Sequence, residues 1–305
     1  SGRLLVDRVG FDTDVNAPAL AEFRHRCYQL EEQQNDHNNN KPLTSLAYIT
    51  IGTGVGVGLV INSQPVHGLL HPEGGHICVQ PLPNDNFTGY SWGAKCPYQG
   101  KSTVEGIASS VALTERWIQM EQAAKNNLAS LQKLYRPSSS SDNAIANDDD
   151  KIKKNKMNGD NAQTREVLTK LPDSHPIWLH ASNAIANLCV SILLLTSCQK
   201  IVLGGGIMKR TILYPMIRSR VHTLLNGYLD SVDELSTEDK LKDVIVTSSW
   251  EEVGSGLLGA FQLALDKLDS CERGRKDVGT KDDTQQKLKS EESERHLFTS
   301  GVLAG

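Results

Sequence analysis

Aromatic residues are scarce in this chain, 5% of 305 residues, and neither sign of charge dominates: 32 Lys and Arg stand against 36 Asp and Glu. The first shortage argues against a platform for stacking bases. The second argues against a nucleic-acid partner recruited by charge. The six cysteines (Cys27, Cys78, Cys96, Cys189, Cys198 and Cys271) include no CxxC pair. With no secretory signal they read as reduced thiols of a cytoplasmic protein. The longest apolar run, CVSILLLTSC from Cys189 to Cys198, falls short of the roughly 20 residues that a membrane helix needs, so no membrane partner is expected. An initiator Met is also lacking, and the opening SGRLLVDRVGFDTDVNAP is expected to be internal to a longer protein.

What the chain does have is glycine, 25 residues of it, in the pattern of a loop-rich α/β enzyme. Three stretches are too polar to offset their ordering entropy by burial: Glu31 to Pro42, Arg136 to Gln163, and the charged tail from Asp269. They are expected to be disordered insertions and a tail. Between them, LAYITIG and VGLVIN read as a hairpin closed by GTGVG, and HICVQP as a third strand. STVEGIASSVALTERWIQM reads as a helix begun by Ser102 or Thr103, with Ser102 and Glu105 in capping-box spacing. Ile185, Leu188, Cys189 and Ile192 make one helix face, and Ile217, Val221, Leu224, Leu225 and Tyr228 another. KIVLGGG and DVIVTSS are strands, and GSGLLGAFQLAL opens a last helix.

Four motifs could carry chemistry. GTGVGVG (Gly52 to Gly58) is either a tight hairpin that needs glycine or a cradle whose amides approach phosphate. It is neither a Walker loop nor a dinucleotide fingerprint. VLGGGIM (Val202 to Met208) either packs helix on strand or lays backbone against a nucleotide. Asp14 in DTDVNAPALAEF is an N-cap carboxylate or one poised to take a hydroxyl proton. HPEGGH lacks the one-turn histidine spacing of a zinc protease. Its Glu73 and His76 suit the hydroxyls of a polar substrate instead.

Taken in order, DVNAPALAE, YITIGTGVGVGLVINSQPVHG, HPEGGH, CPYQGKSTVEGIAS, KIVLGGGIM and GSGLLGAF resemble the sugar kinases of the ROK family. TDVNA and CPY resemble its fructokinase branch. The likeness runs from Phe11 to Leu268, apart from the insertions. It implies the actin-like ATPase (ribonuclease H-like) α/β fold, with residues 1–45 a remnant of the N-terminal domain and 46–268 the C-terminal kinase domain. The tail is then 269–305. It further implies ATP-dependent phosphorylation of a hexose, D-fructose to fructose 6-phosphate, with Mg²⁺ accompanying ATP. Asp14 would be the general base, and Glu73, His76 and Glu105 would hold the sugar. Gly52, Thr53 and Gly54 would face the phosphates, and Gly204, Gly205 and Gly206 the adenosine. Monomer and homodimer both stay open.

Two departures from the family pattern stand out. No Gly-Gly-Thr-Lys phosphate loop is present, so most of the N-terminal domain is expected to be missing. The apolar face of the last helix, which packs on that domain in the family, is expected to be exposed. A non-catalytic sugar-binding regulator and an inactive fragment are the alternatives. The second departure concerns zinc, which the family holds with the histidine of this loop, here His76, and in the fructokinase branch with Cys-x-x-His-x-x-Cys. Cys96 fits that pattern, but Gln99 and Ser102 occupy the next two places. The expectation is a loop without zinc, held by hydrogen bonds from Gln99 and Ser102.

Overall fold

A computed structural model describes residues 10–33, 41–134, 161–250 and 256–268. Most of the three polar stretches, with the tail, lies outside the described residues. The elements run α1 (Asn16–Gln33), β1 (Leu46–Ile51), β2 (Val55–Ile61), β3 (Gln64–Pro65), α2 (Val104–Ala108), α3 (Ser110–Leu134) and α4 (Asn161–Lys170). Then come α5 (Ile177–Thr196), β4 (Lys200–Gly204), α6 (Leu213–Leu225), α7 (Leu241–Val244), β5 (Ile245–Thr247) and α8 (256–268). The sheet order is β3-β2-β1-β4-β5, with β1, β4 and β5 parallel and β2 and β3 antiparallel to their neighbours.

Strand β1 is covered on both sides, and its alternation sorts the core. Leu46 and Tyr48 pack with Ala19 and Phe23 of α1. Ala47, Ile49 and Ile51 join the larger core with Ile185 and Leu188 of α5 and Ile217 of α6. A strand buried on both faces needs apolar residues at every position, which is why LAYITI has no polar face.

Helix α5 corrects one expectation. Its 20 residues are long and apolar enough to cross a membrane by length and composition, although 67% of the relevant window is buried inside the fold. Ser182, Asn183 and His180 interrupt the apolar run in sequence, which hid its length. The two predicted helix faces fare differently: on α5, Ile185, Leu188, Cys189 and Ile192 are all buried, whereas Tyr228 lies beyond the end of α6 and is exposed. Burial pushes the Cys198 thiol up to about 11 and Cys189 further still, so both are unreactive.

HICVQP is not a strand. Cys78 forms a single bridge with Thr103, and then side-chain amides of α5 take over the ladder. Asn183 donates to the Gln80 carbonyl at 2.8 Å, and the Asn187 oxygen accepts from its N–H at 3.4 Å. The expected helix from Ser102 breaks in two at Ser109, whose extended backbone separates α2 from α3. Its cap is Thr103, whose hydroxyl accepts from Gly106 N–H at 3.0 Å. Glu105 does not close a capping box with Ser102; its carboxylate points to the glycine turn of the hairpin.

Candidate active site

The parallel registers pair Thr50 with Gly204 and Leu203 with Thr247. Strands β1, β4 and β5 therefore release their chains at the same edge. Ligands of open α/β sheets bind outside such carboxyl ends. A cleft of ≈ 910 Å³ opens there, lined by Gly52 and Thr53 after β1, Gly204 to Gly206 at the end of β4, and Ser248 and Trp250 after β5.

The glycines of the two runs divide the work, as an imagined Cβ at each makes plain. At Gly56 and Gly58 it would strike Val15, at 2.5 Å from Cγ1 and 2.1 Å from the carbonyl oxygen, so these two admit the start of α1. At Gly54 it would meet Glu105 Oε2 at 2.5 Å, and at Gly204 the Tyr48 hydroxyl at 2.8 Å. Gly205 has φ +92°, and a Cβ there would fall 2.5 Å from the Ile51 carbonyl oxygen. Only Gly52 and Gly206 of these runs have nothing within 4 Å. Neither packing nor a positive φ requires glycine at those two positions, and both line the cleft. Gly54 faces Glu105 and is not part of the lining.

The Gly52 turn is fixed from behind. Gly52 N–H donates to Gly54 O at 2.9 Å, and the first N–H of α3, from Ser110, donates to Gly52 O at 2.8 Å. On the far wall, the Arg210 guanidinium lies 4.3 Å over the buried Trp178 ring, pairs with Asp173 and donates to Leu168 O at 3.0 Å. Sequence reading missed Arg210, Asp173, Trp178, Ser248 and Trp250. Only the last two left a usable signal, the end of a predicted parallel strand.

A second group forms on the larger-core side of β2. The turn Gly74–His76 lies flat on the strand because a Cβ at Gly75 would fall 2.0 Å from Val55 O and one at Gly74 2.6 Å from Val57 Cγ2. That seating brings His76 between two carboxylates, 3.9 Å from Glu73 and 4.0 Å from Glu105. His71 pairs with the other Glu73 oxygen at 2.9 Å. The Nδ1 of His76 is buried without a hydrogen-bond partner, a polar atom left for a ligand to satisfy. Glu105 Oε2 accepts from Val55 N–H at 2.9 Å, which ties this group to the residue after the glycine turn.

Asp14 lies in the turn before α1, exposed, and its carboxylate has no hydrogen bond or ion pair among the described residues. The capping work expected of it falls to Thr13, whose hydroxyl accepts from Asn16 N–H at 3.0 Å. Two cross-links flank it: Asp12 with His67 at 3.0 Å, and Asn16 Nδ2 donating to Val66 O at 3.3 Å.

The expected zinc-free loop is held differently from the expectation. Gln99 is exposed, and neither its side chain nor that of Ser102 makes a hydrogen bond among the described residues. Backbone groups do the holding: Gln99 N–H to Cys96 O at 2.8 Å, Ser102 N–H to Thr88 O at 2.7 Å, and Val79 N–H to Ser102 O at 2.7 Å. Tyr98, Gln99, Gly100 and Ser102 all take positive φ, a chain path rather than a ligand set. The donors do not fit zinc. Cys96 has only Gln99 and Ser102 beside it in the motif, and neither replaces thiolate or imidazole.

Comparison with known proteins agrees with this architecture. The ROK family model matches residues 5–267. A relative from Bacillus subtilis (strain 168) is 31% identical over 258 residues, 84% of this chain and 62% of its own length. The fructokinase of Streptococcus mutans is 28% identical over 255 residues, 83% of this chain and 62% of that protein. The chain thus spans less than two thirds of the length of these curated relatives. The crystal structure of a ROK hexokinase from Thermus thermophilus superposes with a TM-score of 0.51 at 18% identity, covering 85% of this chain and 65% of that one. With two glycine turns at the ends of parallel strands and a family match over most of its length, the chain belongs to the ROK family and has the actin-like ATPase fold of its kinases.

Proposed function

We propose that this chain contributes both ligand sites of an ATP-dependent hexose kinase acting in the cytoplasm, with D-fructose as substrate and fructose 6-phosphate as product. The observation that carries this reading is the hydrogen bond from Val55 N–H to Glu105 at 2.9 Å. It joins the turn lining the nucleotide cleft to the cluster built for hydroxyl groups, so one rigid hairpin serves both.

In this reading the bare Cα positions of Gly52 and Gly206 let ATP approach the backbone, where Thr53 and the turn amides donate to phosphate oxygens. Glu73, His76 and Glu105 orient the sugar through its hydroxyls, the carboxylates accepting and the imidazole satisfying its orphaned Nδ1. Asp14 takes the proton of the C6 hydroxyl as its oxygen bonds to the γ-phosphorus. The bond from γ-phosphorus to the bridging oxygen breaks, and ADP leaves with that electron pair. When bound with ATP, Mg²⁺ supplies neutralising charge for the phosphates. The chain's own task is positioning, which supplies most of the acceleration in phosphoryl transfer.

The test is ADP release in a coupled assay with fructose, run on the parent chain and on Asp14→Asn. Removing a general base is expected to reduce the rate by about 10²–10⁴-fold. Equal rates would remove Asp14 from the mechanism. Fructose binding without ADP release in the parent would instead favour a sugar-binding regulator.

A further inference from the structure

Between Val79 and Ser102 the only regular structure is a short 3-10 turn, Pro97–Gly100. Both ends of this loop are functional in the reading above, His76 lying just before it and Glu105 just after. Resting on that reading, we propose that Asp85, Arg116 and His180 form a clamp that positions the hexose-binding pair His76 and Glu105 by fixing this loop to the helices.

The clamp joins three elements. Arg116 comes from α3, His180 from α5 and Asp85 from the loop. The Arg116 and Asp85 side chains are 4% and 5% exposed, and they meet bidentately at 2.7 and 2.8 Å. The guanidinium covers the Phe87 ring at 4.4 Å, and Phe87 N–H donates to the same carboxylate at 3.1 Å. His180 Nδ1 lies 2.9 Å from the second oxygen, off the line of a hydrogen bond.

From there the path to the site is short and entirely backbone. Thr88 O accepts from Ser102 N–H, and Tyr90 N–H donates to Gly106 O, both at 2.7 Å, on either side of Thr103 to Glu105. On the other stem, Val104 N–H donates to Ile77 O at 3.1 Å, next to His76. Holding residues 85–90 therefore holds the segment that carries Glu105, and through the stem the one that carries His76.

Stability alone does not account for an ion pair here. A buried pair of charges contributes little more than well-packed apolar residues of the same volume. A two-pronged contact, however, fixes the orientation as well as the distance of the loop, which an apolar contact does not. The clamp residues touch no candidate ligand group, so they act by positioning.

The experiment compares the whole parent chain with Asp85→Asn, Arg116→Lys and the apolar pair Asp85→Leu with Arg116→Met. D-fructose and ADP are each titrated by calorimetry, melting temperature is recorded, and hydrogen exchange is followed at Val79, Tyr90 and Ser102. Asp85→Asn is expected to weaken fructose binding by about 10–100-fold, as misplaced groups do, while ADP affinity stays at the parent value. Arg116→Lys falls between the two, and the apolar pair keeps the melting temperature but not the fructose affinity. Parent-like fructose affinity in Asp85→Asn or in the folded apolar pair overturns the clamp, and so does an equal loss for fructose and ADP. If the parent binds no fructose, the hexose reading fails by itself and hydrogen exchange decides the clamp. Faster exchange at those three amides upholds it, and unchanged exchange overturns it.

Discussion

The two ends of the candidate site are built from different materials. The end proposed for the nucleotide is made of backbone, from turns released by three parallel strands with glycines graded by what they touch. The end proposed for the sugar hydroxyls is made of side chains, with His71, Glu73, His76 and Glu105 in one chain of contacts. Backbone turns inherit their precision from the sheet register. Side chains on a long loop do not, and they need outside support of the kind that Asp85 and Arg116 can give.

That contrast is open to attack from either side. The largest effect is expected from Asp14→Asn, which should abolish nearly all ADP release in the coupled assay. At the nucleotide end, Gly206→Val should leave the melting temperature within the small change of a surface substitution, because nothing lies within 4 Å. It should still weaken ADP binding by about 1–3 kcal/mol through overpacking, roughly fivefold to 150-fold in Kd. Gly205→Ala should do the reverse and lower the melting temperature first. Its φ of +92° and its contact with the Ile51 backbone leave no room, a strain on the order of 1–3 kcal/mol. If both variants lose stability alike, the division of labour among the glycines is wrong.

At the hydroxyl end, Glu105→Gln keeps an oxygen for Val55 N–H but removes the charge facing His76. Fructose affinity in calorimetry should drop by about 10-fold, the order of one charged hydrogen bond, with ADP affinity unchanged. The smallest effect is the response to pH. Burial and the Arg116 charge hold the His180 pKa below its ordinary 6.5, against the pull of Asp85. Burial raises Asp85, but hydrogen bonds from Arg116 and Phe87 N–H and the nearby positive charges outweigh it, so its pKa sits below 3.8. In both cases protonation favours the unfolded chain. Stability is therefore full above pH 6.5, declines as acid titrates His180, and declines again below pH 3.8. Thermal melts of His180→Gln should lose the first decline and keep the second.

How legible all this was in sequence follows the same division. Strands β1, β2, β4 and β5 and helices α5 and α6 lie where periodicity set them, because each has a face or a pair of faces to bury. The glycine turns were visible as runs, but the run GTGVGVG mixes glycines with unrelated duties. Only three-dimensional neighbours separate Gly52, bare on the cleft, from Gly56 and Gly58, which admit α1. In the cluster proposed for hydroxyl groups, Glu73 and His76 stood out by residue type, whereas Glu105 joined them only through resemblance to a family. Spacing alone would not join Glu105 to Val55, fifty residues away. Asp85, Arg116 and His180 left no signal at all, since NDNF reads as a polar loop and the partners come from two separate helices. The loop after Cys96 shows the limit most plainly. Its residue types suggested side-chain bonds from Gln99 and Ser102, whereas positive φ and backbone amides give it its path.

The seating of α1 carries a mechanical consequence. Its first turn is gripped on one side by Gly56 and Gly58 of β2 and on the other by Gly259 of α8, where a Cβ would fall 2.5 Å from the Ala17 carbonyl carbon. A joint pressed backbone to backbone on two sides has no slack. Asp14 immediately precedes Val15, the residue that Gly56 and Gly58 meet, so a shift at that contact reaches it directly. A methyl group added at Gly58 or Gly259 would act as a shim, tilting the carboxylate without touching any ligand. The positions least tolerant of drift in this chain thus include glycines that never face the cleft.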